Sequence, residues 1–200
     1  NYYDINKKDK FDEIFGKLYI GENPTPEHNR YLIIHLNFAI IAGDLDDYKH
    51  DLDYYCRTQF NYFVDVYSHL LPEGTKEGLN QQEDAVNQLA YLCAQCEKAG
   101  QKIYLFIDEY DHFTNQILAH KEYEQRGYTQ PHGAGYLMKF FDTIKGCAGS
   151  SLARAFITGV CPITMNGITS GFNIGTNYSL APEFNEMTGF TEDEVRDMLG

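Results

Sequence analysis

The segment Lys102-Ile103-Tyr104-Leu105-Phe106-Ile107-Asp108-Glu109 constrains the fold of this chain more than any other. Its five successive apolar positions leave no polar face, so it reads as a strand covered on both sides, as in the centre of a parallel sheet. It ends on two adjacent carboxylates, which places charge where a sheet edge meets solvent. Parallel strands need long crossover connections, and helical patterns lie on both sides of this one.

Tyr31–Phe38 and Ala153–Thr158 read as further strands, with Tyr178-Ser179-Leu180 as a weaker fourth. Leu45, Tyr48, Leu52, Tyr55, Tyr62, Val66 and Leu70 recur at helical spacing. Asp44, Asp46 and Asp47 occupy that helix's first turn, where negative charge suits the dipole, and Pro72-Glu73-Gly74 ends it. A second helix is predicted from about Leu79 to Ala99, stopped by Gly100. Others are predicted at about Tyr110–Tyr123 and Tyr136–Ile144, with a loop over Gly127–Gly135 and a short turn near Pro162–Ile168. Thr191-x-x-Glu194 is a capping box opening a last helix. Residues 1–18 read as a helix tail and a short amphipathic segment around Phe11, Ile14, Phe15 and Leu18, followed by a loop with Pro24 and Pro26. The expected fold is α/β: a mainly parallel sheet with helices on both faces and its strand carboxyl ends along one ligand-binding edge.

The chain has 200 residues, no repeat and no linker-like stretch, which fits one domain. A net charge of −13 argues against nucleic acid or an anionic membrane as a direct partner. It does not exclude phosphate ligands, which backbone amides and a metal ion can bind. No apolar run approaches the ~20 residues needed to span a bilayer, and the first residues lack a signal-peptide core. Five cysteines, an odd number, fit a reducing compartment, and a cytoplasmic location is expected. A chain that opens on Asn1 and stops at Gly200, just inside a helix, reads as a piece of a longer polypeptide.

Asp108 is the candidate metal residue, because Mg²⁺ prefers oxygen ligands and retains several waters. Glu109 is suited to orienting or deprotonating an attacking water. Thr158, at the carboxyl end of a neighbouring strand, can position that water or read a phosphate. Against this stands a plain alternative, in which the acids only end a strand and begin a helix. Cys93-x-x-Cys96 lies late in a helix and reads as packing, since a zinc site needs four ligands and Cys56, Cys147 and Cys161 are isolated in sequence. His35 reads as a core residue of its strand, and His132 sits alone among glycines. Neither Gly-x-Ser-x-Gly, Gly-x-Gly-x-x-Gly nor Gly-x-x-x-x-Gly-Lys-[Ser/Thr] occurs, so the chain contains no phosphate-binding P-loop.

Leu105-Phe106-Ile107-Asp108-Glu109-Tyr110-Asp111 resembles the Walker B segment of the predicted AAA-ATPase-like proteins. Phe156-Ile157-Thr158-Gly159-Val160-Cys161-Pro162-Ile163-Thr164 resembles their fourth-strand motif. Leu180–Glu194 is similar to their fifth strand and the start of the lid, and Asn1-Tyr2-Tyr3-Asp4 to the tail of their first helix, with Phe15–Gly21 as the loop after it. The resemblance runs over nearly the whole chain, with three separated motifs in order. It implies a three-layer αβα P-loop NTPase-like core whose first strand and P-loop are absent from these residues. It further implies residues 1–190 as a partial core, 191–200 as the start of a helical lid, and a nuclease-like region beyond in many members. By the same resemblance Asp108 is the Mg²⁺-linked acid, Glu109 the catalytic glutamate and Thr158 a sensor-like residue, with ATP and Mg²⁺ as ligands of the intact protein. A protein partner or homo-oligomer is expected; Arg154 and Arg196 are arginines near predicted site elements, but the sequence singles out no arginine finger. Two other readings stay open. One is a non-catalytic interaction module that keeps the fold. The other is a phosphoesterase with a metal held by Asp108, Glu109 and Asp111.

Overall fold

The computed structural model of the chain describes residues 1–41, 48–112, 133–159, 175–179, 181–184 and 189–199. Strands β1 (Leu32–Asn37), β2 (Ile103–Asp108) and β3 (Leu152–Ile157) form a parallel open sheet in the order β1-β2-β3. The helices are α1 (Phe11–Phe15), α2 (Tyr19–Glu22), α3 (Tyr48–Val66), α4 (Thr75–Asn80), α5 (Ala85–Lys98), α6 (Gly133–Cys147) and α7 (Glu192–Leu199). The chain is therefore α/β, and each strand lies within a residue of its expected bounds.

Burial alternates along the strands as the pleat requires. Leu32, Ile34 and Leu36 lie in register with Ile103, Leu105 and Ile107, and all are inaccessible. With Phe60 of α3, Leu92 of α5 and Phe140 of α6 they build a single core. The second face carries Ile33, His35, Tyr104, Phe106, Arg154 and Phe156, none of them fully buried. Complete burial of both faces is thus not what the described residues show. On the second face Tyr3 lies 4.9 Å from Tyr104, and Tyr104 stacks on Phe106 at 4.3 Å. An apolar run was a poor guide here because an aromatic ring can be half covered by other rings and still prefer that position to water.

Other departures have local causes. Asn1–Asp4 is extended rather than a helix tail, because Tyr31 N–H donates to Tyr3 O at 2.9 Å and Ile5 N–H to Tyr31 O at 3.0 Å, bridging Asp4 to Tyr31. Part of the loop expected over Phe15–Gly21 is α2. The predicted helix Leu79–Ala99 is two helices, since Asp84 adopts an extended conformation and its carboxylate caps the Asn87 N–H at 2.8 Å. The helix that begins at Tyr48 ends at Val66, and Ser68–Leu70 is a separate 3-10 turn. α6 begins at Gly133, inside the predicted loop. Tyr178 and Ser179 are not in a strand. The capping box forms as expected, with Thr191 N–H on Glu194 Oε2 at 2.7 Å and Glu194 N–H on Thr191 Oγ1 at 3.3 Å. Leu45 with its neighbouring acids, nearly all of the helix after Tyr110, His132, Cys161 and the turn near Pro162–Ile168 lie outside the described residues.

Asp53 joins three helices. Its Oδ1 accepts from Ala85 N–H at 2.8 Å and from the Tyr136 hydroxyl, and its Oδ2 pairs with Lys49 Nζ at 2.6 Å. Burial and this carboxylate push the Tyr136 phenol well above its ordinary range, so it remains a donor. Asp53 keeps 14% side-chain exposure, and Asp53→Ala strands partners in that partly dry setting. We expect a loss of ~2 kcal/mol in urea denaturation with an unchanged m-value. A loss below ~0.5 kcal/mol would show that water replaces the carboxylate at no cost.

Candidate functional site at the strand carboxyl ends

β2 ends at Asp108, and the chain turns sharply at Glu109, whose φ of 53° is left-handed. That conformation costs a residue with a Cβ ~1–2 kcal/mol, so something must hold it. Glu109 N–H donates to Asp108 Oδ1 at 3.1 Å, and His112 N–H to Glu109 O at 3.1 Å. Beyond the turn, Tyr110 N–H donates to Thr158 O at 3.1 Å, while Thr158 N–H continues the ladder onto Ile107 O at 2.8 Å. β3 therefore braces the turn from both sides.

These bonds bring together the three residues singled out in the sequence. The Thr158 hydroxyl donates to Asp108 Oδ1 at 2.5 Å, and Glu109 follows immediately in the braced turn. Asp108 and Glu109 are half-buried and Asp111 is fully buried. A cleft of about 210 Å³ opens here, lined by His35, Phe106, Ile107, Asp108, Phe156 and Thr158. Glu109 borders it from the turn rather than lining it.

His35 is a correction: it is exposed and lines the cleft instead of filling the core. Register explains this, since His35 pairs with Phe106 and Phe106 with Phe156, all on the face that Asp108 shares. Strand parity alone could have found it, because residues two apart share a face. Gly159 was also missed as a site residue. A methyl group there would lie 2.7 and 2.8 Å from Tyr110 ring carbons and would clash with the Asp111 carboxylate. The two arginines are engaged elsewhere. Arg154 Nε pairs with Glu27 at 3.2 Å, and Arg196 pairs with Glu192 at 3.4 Å on α7. Hydrogen bonds from Tyr31, and then Arg154, hold the Glu27 carboxyl below its ordinary range.

The donor set bears on the expected cofactors. Asp108 and Thr158 offer oxygen atoms, which suits a Mg²⁺ ion held by one carboxylate with water and phosphate completing its shell. No group of three His, Cys, Asp or Glu converges on a metal position among the described residues. Asp108, Glu109 and Asp111 therefore do not form the all-protein metal site that the phosphoesterase reading needs. Among the described residues, the lining of the cleft includes neither lysine nor arginine. No helix among the described residues is long and apolar enough to cross a membrane.

No curated protein and no solved structure gives a significant match to the chain. A family model described as Predicted AAA-ATPase matches residues 1–169, a span that includes Asp108, Glu109 and Thr158. With most of its length inside that match, the chain belongs to the predicted AAA-ATPase-like family.

Proposed function

We propose that this chain carries the hydrolytic part of an ATPase site, with Asp108, Glu109 and Thr158 as its working residues. The observation that supports this most is the hydrogen bond from the Thr158 hydroxyl to Asp108 Oδ1 beside the left-handed Glu109 turn. Strain kept at a strand end between two polar strand termini fits a functional site better than a mere strand stop. When bound, Mg²⁺·ATP supplies the phosphoryl group and the charge neutralisation. Asp108 would hold the ion, whose charge would neutralise the phosphates. Glu109 orients the attacking water and takes its proton on the carboxylate. Thr158 fixes the Asp108 rotamer and reports the state of this edge to β3. Residues 1–190 form the partial core and residues 191–200 begin a lid. A cytoplasmic location, a conformational switch as output, and a protein partner or second copy belong to the same reading.

In this reading the phosphate loop is supplied by another part of the polypeptide. The 200-residue chain by itself should therefore bind Mg²⁺·ATP more weakly than micromolar in a calorimetric titration, since it lacks the loop's amides and lysine. A micromolar Kd would overturn that division of labour. The activity itself is tested with the polypeptide that carries a P-loop together with this segment. It should release phosphate from ATP, and Asp108→Asn should abolish the Mg²⁺-dependent rate. The non-catalytic reading, which the missing P-loop motif favours, predicts neither turnover nor nucleotide-dependent stabilisation.

A further inference from the structure

One side chain of the cleft has no task in the hydrolytic reading. His35 of β1 is exposed and lines the cleft together with Phe106, Phe156, Asp108 and Thr158. Its imidazole makes no hydrogen bond or ion pair among the described residues. The strand is pinned on either side of it. Ile33 N–H donates to the Tyr67 hydroxyl at 3.1 Å, and Asn37 N–H to the Tyr55 hydroxyl at 2.7 Å. His35 therefore has a fixed backbone and an uncommitted ring.

Pairing sets where that ring stands. His35 lies opposite Phe106, and Asp108 is the next residue of β2 on the same face. Strand spacing and rise put the Cα atoms of His35 and Asp108 about 8 Å apart. Two side chains rising from one face at that separation leave room for a small group between them.

The lining is short of donors. Asp108, as a carboxylate, only accepts, and the Thr158 hydroxyl proton is committed to Asp108 Oδ1 at 2.5 Å. Phe106, Ile107 and Phe156 have no polar side-chain atoms. The ring N–H of His35 is thus the one uncommitted side-chain donor in the lining among the described residues. A ligand rich in acceptors and poor in protons matches it, and a phosphoryl group is such a ligand. Phe106 and Phe156, 6.2 Å apart, shield part of the cleft from water, which strengthens a hydrogen bond made there.

We propose, resting on the hydrolytic reading above, that His35 is a further substrate-binding residue, donating a ring N–H to an oxygen of the terminal phosphoryl group of ATP. ADP lacks that group, so His35 separates substrate from product by affinity. β1 then serves the site alongside β2 and β3.

The test uses the polypeptide that carries a P-loop together with this segment. Calorimetric titrations with Mg²⁺ compare ADP with an ATP analogue whose terminal phosphoryl group cannot be cleaved. His35→Ala should weaken the analogue by roughly tenfold or more, the size of one hydrogen bond to a charged group, and leave ADP unchanged. His35→Asn and His35→Gln each place an amide N–H near one of the two ring nitrogens, and one of them should recover most of the loss. An equal loss for both nucleotides, no loss for either, or no recovery in either amide variant would overturn the proposal. His35 is exposed, so its replacement leaves the core untouched. Phosphate release is measured separately. A wild type that binds the analogue without hydrolysing ATP would refute the hydrolytic reading alone, and one that binds neither nucleotide would overturn both.

Discussion

Glu109→Gln should lower ATP hydrolysis by ~10²-fold or more, the size expected when a general base is removed, while nucleotide binding is spared. The measurement is phosphate release by the polypeptide that carries this segment and a P-loop, alongside a nucleotide titration of the same variant. Turnover like that of the wild type would remove Glu109 from the role. Gln has nearly the shape of Glu, so the braced turn is preserved and only the carboxylate's charge and basicity are lost. Glu109→Gly separates function from stability. With φ at 53°, Glu109 occupies backbone space that glycine adopts freely, so the glycine variant should be as inactive yet more stable, by ~1 kcal/mol. If it were instead less stable, contacts of the Glu109 side chain, and not function, would account for the residue at that strained position.

Gly159→Ala should be strongly unfavourable although it adds one methyl group. That methyl would meet the Tyr110 ring at 2.7 and 2.8 Å and clash with the Asp111 carboxylate. Tyr110 and Asp111 are only 6% and 1% exposed, so neither can swing aside into solvent. Overpacking of this kind costs ~1–3 kcal/mol, and the shift should pass through Tyr110 N–H and Thr158 O into the Glu109 turn. ATP turnover should fall with it. Gly146→Ala provides the contrast. Gly146 lies inside α6 with open space where a Cβ would go, so the same chemical change should raise stability by about 0.5–1 kcal/mol. Urea denaturation of the two variants should give shifts of opposite sign. Equal shifts would mean that the packing at Gly159 relaxes without cost.

Much of this arrangement was legible in one dimension because its signals are local. The apolar run of β2 ending at Asp108 and Glu109, the alternation of strands with helices, and the Thr191 capping box each depend on residues within a few positions of one another. The break between α4 and α5 was missed although Asp84 is a good N-cap, because the apolar period continues across it. Asn1–Asp4 was misread because its partner, Tyr31, is remote in sequence and supplies backbone bonds that no local pattern announces. Burial of His35 was misjudged because an apolar strand does not disclose which of its faces a helix covers.

The sequence by itself determined the chemistry on offer: which strands carry carboxylates or a hydroxyl at their ends, and that no phosphate loop lies within these residues. Only the tertiary structure decided which of these groups meet. Parallel pairing of β2 with β3 puts the Thr158 hydroxyl on Asp108, and register turns His35 toward the same cleft. The reason is physical. A residue type sets what a side chain can bond, whereas its partner is set by long-range pairing and packing, whose free energy is shared among many residues distant along the chain.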